Sequence, residues 1–163
     1  MSPSLAELGE AELLQRLAIF APPGQLNDDT ACLKSDPRPL IVNTDVLVDG
    51  IHFSDRTTSA DDAGWRAVTA NLSDLAASGV TSVDGITVGL VAPGETSWEW
   101  VEGVYNGISA ALKQFGGVLL GGDCSAGTDR LLAVTALGRL GPLRLLRSSA
   151  EPGDVLMTSG PHG

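Results

Sequence analysis

Five acidic spots in this sequence pair a useful residue type with a useful setting: Asp28-Asp29 within Asn-Asp-Asp-Thr, Asp45 after Asn43-Thr44, Asp49 before Gly50, Asp74 in a helical-period stretch, and Asp123 after Gly121-Gly122. Carboxylates from separate strand ends and one helix face can converge on a divalent cation. Mg²⁺ takes hard oxygen ligands and commonly uses a few carboxylates, waters and substrate phosphates. Aspartate is equally suited to turns and caps, so each of these also reads as a turn residue. Gly121-Gly122-Asp123 follows the apolar run Val118-Leu119-Leu120. Glycines there can let backbone N–H groups cradle a phosphate, or simply make a turn. His52 can bind a phosphate or ring, although an isolated histidine is more often structural. Arg147 offers a fork of donors for phosphate, or a solvated loop cation. Cys124 has no histidine close in sequence to activate it and reads as a small buried residue.

Charge sharpens this choice. The chain has 163 residues, enough for one domain with an ordinary core, and a net charge of −10. Its 10 Lys and Arg are scattered without a basic stripe, which argues against nucleic-acid binding. An acidic protein that handles phosphates needs cations, and a divalent metal meets that need. A hydrophobic fraction of 43% argues for a folded chain. No apolar run reaches the roughly 18–20 residues of a membrane span. Glu7, Glu10 and Glu12 stand where a signal peptide would be basic and then apolar, so a cytoplasmic protein is expected. Cys32 and Cys124 read as a reduced pair by default, with one buried disulfide still open.

The elements that must position these groups follow from periodicity. Residues 4–20 place Leu5, Leu8, Leu13, Leu14 and Leu17 on a helical period, ended by Ala21-Pro22-Pro23-Gly24. Short strands are predicted at Ala31–Lys34 and Leu40–Thr44 around the turn Ser35-Asp36-Pro37. Asp61 to Gly79 reads as a helix with Trp65, Val68, Leu72 and Leu75 as its core stripe, and Asn71, Asp74 and Ser78 on a neighbouring face. Gly85–Val91 is a strand, and Thr96 with Glu99 resembles a capping box. The helix that follows turns Val101, Val104, Tyr105, Ile108, Leu112 and Phe115 inward and stops at Gly116-Gly117. Further strands are predicted at Val118–Leu120, Leu131–Leu137 and Asp154–Thr158, the last running into the turn Ser-Gly-Pro-His-Gly. Helices alternating with strands define a mixed α/β or α+β class.

Set in order, several blocks resemble the thiamine-monophosphate kinase family, which belongs to the aminoimidazole ribonucleotide synthetase-like superfamily. They are Asn27-Asp28-Asp29-Thr30-Ala31, the run from Asn43 to Phe53, Asn71-Leu72-Ser73-Asp74-Leu75-Ala76-Ala77, Gly121-Gly122-Asp123, and Arg147 with Pro152-Gly153-Asp154. The resemblance implies Mg²⁺-dependent transfer of the ATP γ-phosphoryl group to thiamine monophosphate, with no covalent enzyme intermediate. Asp29, Asn43, Thr44, Asp45, Asp74 and Asp123 match metal-contacting positions, and His52 matches a substrate-contacting one. Tyr105, Gly122, Asp123 and Arg147 match positions that contact ATP. The implied fold is the superfamily's N-terminal domain, a mixed sheet flanked by helices whose strands pair across a homodimer. Residues 1–163 would form that domain, with the family's C-terminal domain absent. Asn27 replaces a usual Gly, Asn43 a usual Ser and Cys124 a usual Thr. Another ATP-dependent small-molecule enzyme of the superfamily, or a non-catalytic dimerisation module, are the alternative readings.

Overall fold

Apolar alternation lays down four strands: β1 (Leu40–Val48), β2 (Val80–Ala92), β3 (Leu119–Ala126) and β4 (Leu131–Leu140). The computed structural model describes residues 2–158 and 160 and joins these strands in one sheet ordered β1-β4-β2-β3. β4 pairs antiparallel with both β1 and β2, whereas β2 and β3 run parallel. A parallel neighbour needs a crossover, and helix α3 (Trp98–Phe115) supplies it. Helices α1 (Leu5–Leu17) and α2 (Ala60–Ala77) complete the α+β architecture.

The helices cover one side of the sheet. Leu132, Val134 and Ala136 of β4 and Ile86, Val88 and Leu90 of β2 point into this layer and are almost fully buried. On the opposite side Val42 and Val46 remain 53% and 43% exposed, so that face is apolar yet bare. α2 starts at the N-cap Ser59, whose hydroxyl accepts from the Asp62 N–H. Asp61 and Asp62 in its first turn suit the positive end of the helix dipole. α2 and α3 meet through glycines. A Cβ on Gly64 would stand 1.9 Å from the Val104 carbonyl oxygen, and one on Gly107 would stand 1.9 Å from that of Asp61. Only a missing side chain permits backbones this close.

The chain start is stitched to the head of α3. Leu5 N–H donates to the Thr96 carbonyl, Ala6 N–H to Gly94, Trp98 N–H to Pro3, and Glu99 N–H to the Ser2 hydroxyl. The Arg16 guanidinium lies 5.3 Å from the Trp98 ring, a cation–π contact across the same seam.

Several expectations change. α1 has a genuine capping box, Ser4 with Glu7, but kinks at Gly9 (φ 69°) and tightens into a 3₁₀ turn at Ala18–Phe20. Residues 31–34 form no strand, because no neighbouring strand offers them a ladder, and 154–158 likewise run exposed without pairing. The turn expected after Thr158 lies mostly outside the described residues. The cap of α3 is Ser97 rather than Thr96, since the Thr96 carbonyl is already taken by α1. Phe115, expected inward, is 49% exposed and tilts against Trp65 with ring centroids 5.8 Å apart.

Candidate functional site

Gly121 and Gly122 lie inside β3, not in a turn after it. Ile86 faces Leu119 while the next β2 residue, Thr87, faces Gly121, so Leu120 is an extra residue in the strand. Such a bulge re-aims the chain. It lets Gly122 press against β2, where an added Cβ would meet the Val88 carbonyl oxygen at 1.9 Å. The Leu120 carbonyl, freed from regular pairing, accepts from the Gln25 side-chain amide at 2.9 Å. That bond ties the chain just before Asn27–Ala31 to β3, and Asn27–Ala31 lies across a cavity from Leu119–Cys124.

The result is a cavity of about 450 Å³. Its walls are apolar, from Leu14 and Leu17 of α1, Leu26, Leu119 and Tyr105, and its rim carries Asp28, Asp29, Gly122 and Asp123. Tyr105 is buried against Phe20 (centroids 5.5 Å apart), and burial raises its phenol above the ordinary range. Asp123 accepts from the Ser125 hydroxyl at 2.9 Å through one oxygen. No Lys, Arg or His lines this cavity among the described residues. Three carboxylates and no cation make it a poor host for a bare phosphate, and a good one for a phosphate that arrives with metal.

The remaining sequence candidates stand elsewhere. Asn43 and Asp45 are in register with Ala136 and Val134, so they face the helix layer, on the opposite edge strand from Asp123. Thr44 points to the bare side and its hydroxyl shares a hydrogen bond with Thr135 at 2.8 Å. Three consecutive strand residues cannot turn their side chains the same way. Both polar atoms of the Asn43 amide are buried without a partner, as is Oδ1 of Asn71 on α2. Buried orphans of this kind fit a site where a ligand or metal-bound water supplies the missing bonds. Asp74 is exposed on α2, and Arg147 is exposed beyond β4.

His52 closes a tight loop after β1. Its Nδ1 accepts from the Val48 N–H at 3.1 Å, so the ring proton of the neutral imidazole sits on Nε2. Asp49, grouped with the metal candidates by its sequence setting, is instead held by Arg130 at 2.7 Å. Thus the structure gathers Asp29, Tyr105, Gly122 and Asp123 around one cavity. It does not bring Asn43, Thr44, Asp45, Asp74, His52 or Arg147 to it. β1 and β3 are the two edges of a four-stranded sheet, about 14 Å apart by strand spacing. A single pocket for all the carboxylates is therefore not formed within one chain. Among the described residues no group of three or more His, Cys, Asp or Glu is poised around one metal position. Sequence reasoning missed Gln25, Thr87 and Arg130. The first two carry no recognisable pattern, and Arg130 became meaningful only through the packing around it.

This fold and cavity place the chain in a defined class. Residues 27–140 match the AIR synthase related protein, N-terminal domain, and the chain belongs to that family. Curated relatives that it resembles are named thiamine-monophosphate kinase. The enzyme of that name from Prochlorococcus marinus is 59% identical over 159 residues, covering 98% of this chain and 48% of the relative. The crystal structure of thiamine-monophosphate kinase from Stenotrophomonas maltophilia superposes with a TM-score of 0.65 at 34% identity, over 86% of this chain and 44% of that one. AaThiL complexed with AMPPCP and TMP superposes at 0.60 and 26% identity, over 82% and 43% of the two chains. The chain spans about half the length of the curated relatives it matches.

Proposed function

We propose that this chain forms the nucleotide- and metal-binding half of a thiamine-monophosphate kinase, transferring the γ-phosphoryl group of ATP to thiamine monophosphate to give thiamine diphosphate and ADP. The observation that carries the reading is the acidic, cation-free rim of Asp28, Asp29 and Asp123 around an apolar cavity. The complex of AaThiL with AMPPCP and TMP supports it from a relative.

The donor set fits Mg²⁺. This ion usually keeps waters and takes one or two carboxylates plus substrate phosphates, rather than a closed protein cage. Asp29 and Asp123 would hold one such ion at the β3 edge, and Asn43, Asp45 and Asp74 would hold another beside β1, whereas the Thr44 hydroxyl, turned to the bare face, would serve only from there. When bound, Mg²⁺ offsets phosphate charge and fixes the reacting geometry. The chain's own residues do the rest. Gly121, where an added Cβ would meet nothing within 4 Å, leaves room for a phosphate beside the Gly122 and Asp123 backbone. Tyr105 and the leucine walls would receive the apolar part of the nucleotide. Arg147, exposed beyond β4 and away from the cavity, is the cation proposed to reach the phosphate. His52 presents Nε2–H to the accepting substrate. No residue is asked to become covalently modified.

Two edge strands carry the two halves of this machinery, and a homodimer paired through the bare sheet face would bring the β1 side of one copy towards the β3 side of the other. The supporting observations are the exposed Val42 and Val46 on that face and the separation of the edges. No helix among the described residues is long and apolar enough to cross a membrane, in keeping with a cytoplasmic enzyme.

Isothermal titration of this chain with AMPPCP tests the reading. Heat of binding is expected with Mg²⁺ and not with EDTA, and Asp123→Asn should weaken it at least roughly tenfold. Binding that ignores both the metal and Asp123 would refute the site. In a chain of the relatives' full length, ADP release on adding thiamine monophosphate tests the reaction itself.

A further inference from the structure

Arg130 is the densest node of interactions that the proposed chemistry leaves unused. It opens the approach to β4, and its Nε donates to Asp49 Oδ2 at 2.7 Å while a terminal nitrogen donates to Asp55 at 2.9 Å. Its guanidinium lies 4.7 Å from the Trp100 ring and 6.0 Å from that of Phe53, and those two rings stack on each other with centroids 6.1 Å apart. Its backbone carbonyl accepts from the Asp49 N–H at 2.9 Å. One side chain therefore grips Asp49, Phe53 and Asp55, three points of the loop that includes His52.

Within that loop three hydrogen bonds fold the chain back on itself. Gly50 N–H donates to the Phe53 carbonyl at 2.8 Å, His52 N–H to the Val48 carbonyl at 2.8 Å, and Val48 N–H to His52 Nδ1 at 3.1 Å. The first bond needs the left-handed turn at Gly50, with φ 74°. Nothing else on the loop is apolar and buried except Phe53, because Ile51 is 76% exposed. An exposed turn of this kind frays unless it is tied down. Burial works against the charge on Arg130, yet its bonds to Asp55 and Asp49 outweigh that and keep it firmly protonated.

We propose that Arg130 is a positioning residue that locks the Asp49–Asp55 loop and so fixes the His52 imidazole as an outward Nε2–H donor. This rests on the reading of His52 as a substrate contact, and it adds the group that sets the ring's orientation and tautomer. The guanidinium is matched to the task. It bonds two carboxylates in its plane and packs its face on an indole at the same time, which an ammonium group cannot do.

The test is spectroscopic. In ¹⁵N-labelled protein, long-range histidine spectra report the His52 tautomer, and hydrogen exchange reports the Gly50 and His52 amides. Arg130→Met should convert His52 from a single Nε2–H form to a tautomer average and speed exchange of both amides roughly tenfold or more. The Val88 and Val134 amides in β2 and β4 should keep their protection. Arg130→Lys should restore part of the loop protection. Asp49→Asn, which leaves the stacking in place, should shift the same signals less. Unchanged tautomer and loop exchange in Asp49→Asn and Arg130→Met would overturn the proposal, as would an equal loss of protection at Val88 and Val134. His52→Ala separates the two claims. If thiamine monophosphate binding survives it, the substrate-contact reading fails while the Arg130 result stands.

Discussion

The thiol of Cys124 lies between two cavities, the acidic one along β3 and a smaller one of about 300 Å³ under α1. Burial, reinforced by the charges of Asp123 and Glu10, pushes it up to about 11 from an ordinary 9.0. Between those values the unfolded chain has released the thiol proton and the folded chain retains it. The unfolded state then binds fewer protons, so stability falls as pH rises through that window. Tyr105, raised for the same reason, adds to the fall at higher pH. Thermal melts from pH 8 to 11 should drop, and Cys124→Ala should remove roughly 1–2 kcal/mol of that loss, allowing for the partly exposed thiol. At pH 8, iodoacetamide should modify the exposed Cys32 well before Cys124. The burial expected of Cys124 is only partial, but that it is not an activated nucleophile was legible in the letters, because no histidine stood near it in sequence. The fates of Asp49 and Asp123 were not, since both follow the same rule of an aspartate beside glycine. Only the neighbours decide that one is tied to an arginine and the other faces a cavity.

Among the elements, the α2–α3 contact depends on what its glycines lack. Gly107→Ala drives a methyl group into the Asp61 backbone, and two packed helices cannot separate locally without disturbing Val68, Val104 and Ile108. A loss of roughly 1–3 kcal/mol is expected in urea denaturation at unchanged fold, the range of overpacked cores. The helices themselves were readable from periodicity to within a residue or two at most ends, because their apolar stripes are long. Their close approach was not, since a helical glycine announces only a weak helix former. β3 was underestimated for a related reason. Gly-Gly reads as a turn in isolation, and the bulge that accommodates it inside a strand is set by β2.

For the whole molecule, one sheet face is covered by helices and the other shows valines to solvent. A second copy of this chain is the proposed cover. Val46→Arg places a charge on that face at its edge strand β1, and sedimentation should then give the single-chain mass of 16.8 kDa where the parent chain gives twice that value. An unchanged mass would reject pairing through this surface. The strand order explains why carboxylates expected to converge on one site stand apart within the chain. β1 and β3 are separated by β4 and β2, and β4, the last strand in the chain, is inserted between β1 and β2, an insertion of which a linear pattern holds no record. The stitching of residues 2–6 to Gly94–Glu99 has a temporal consequence as well. On the ribosome the leading helix emerges with its leucines unsheltered, and it stays so until the start of α3 has been synthesised. Its docking then waits on a segment made much later, so nascent chains halted before Trp98 should be markedly more protease-sensitive at their beginnings than those halted after Phe115.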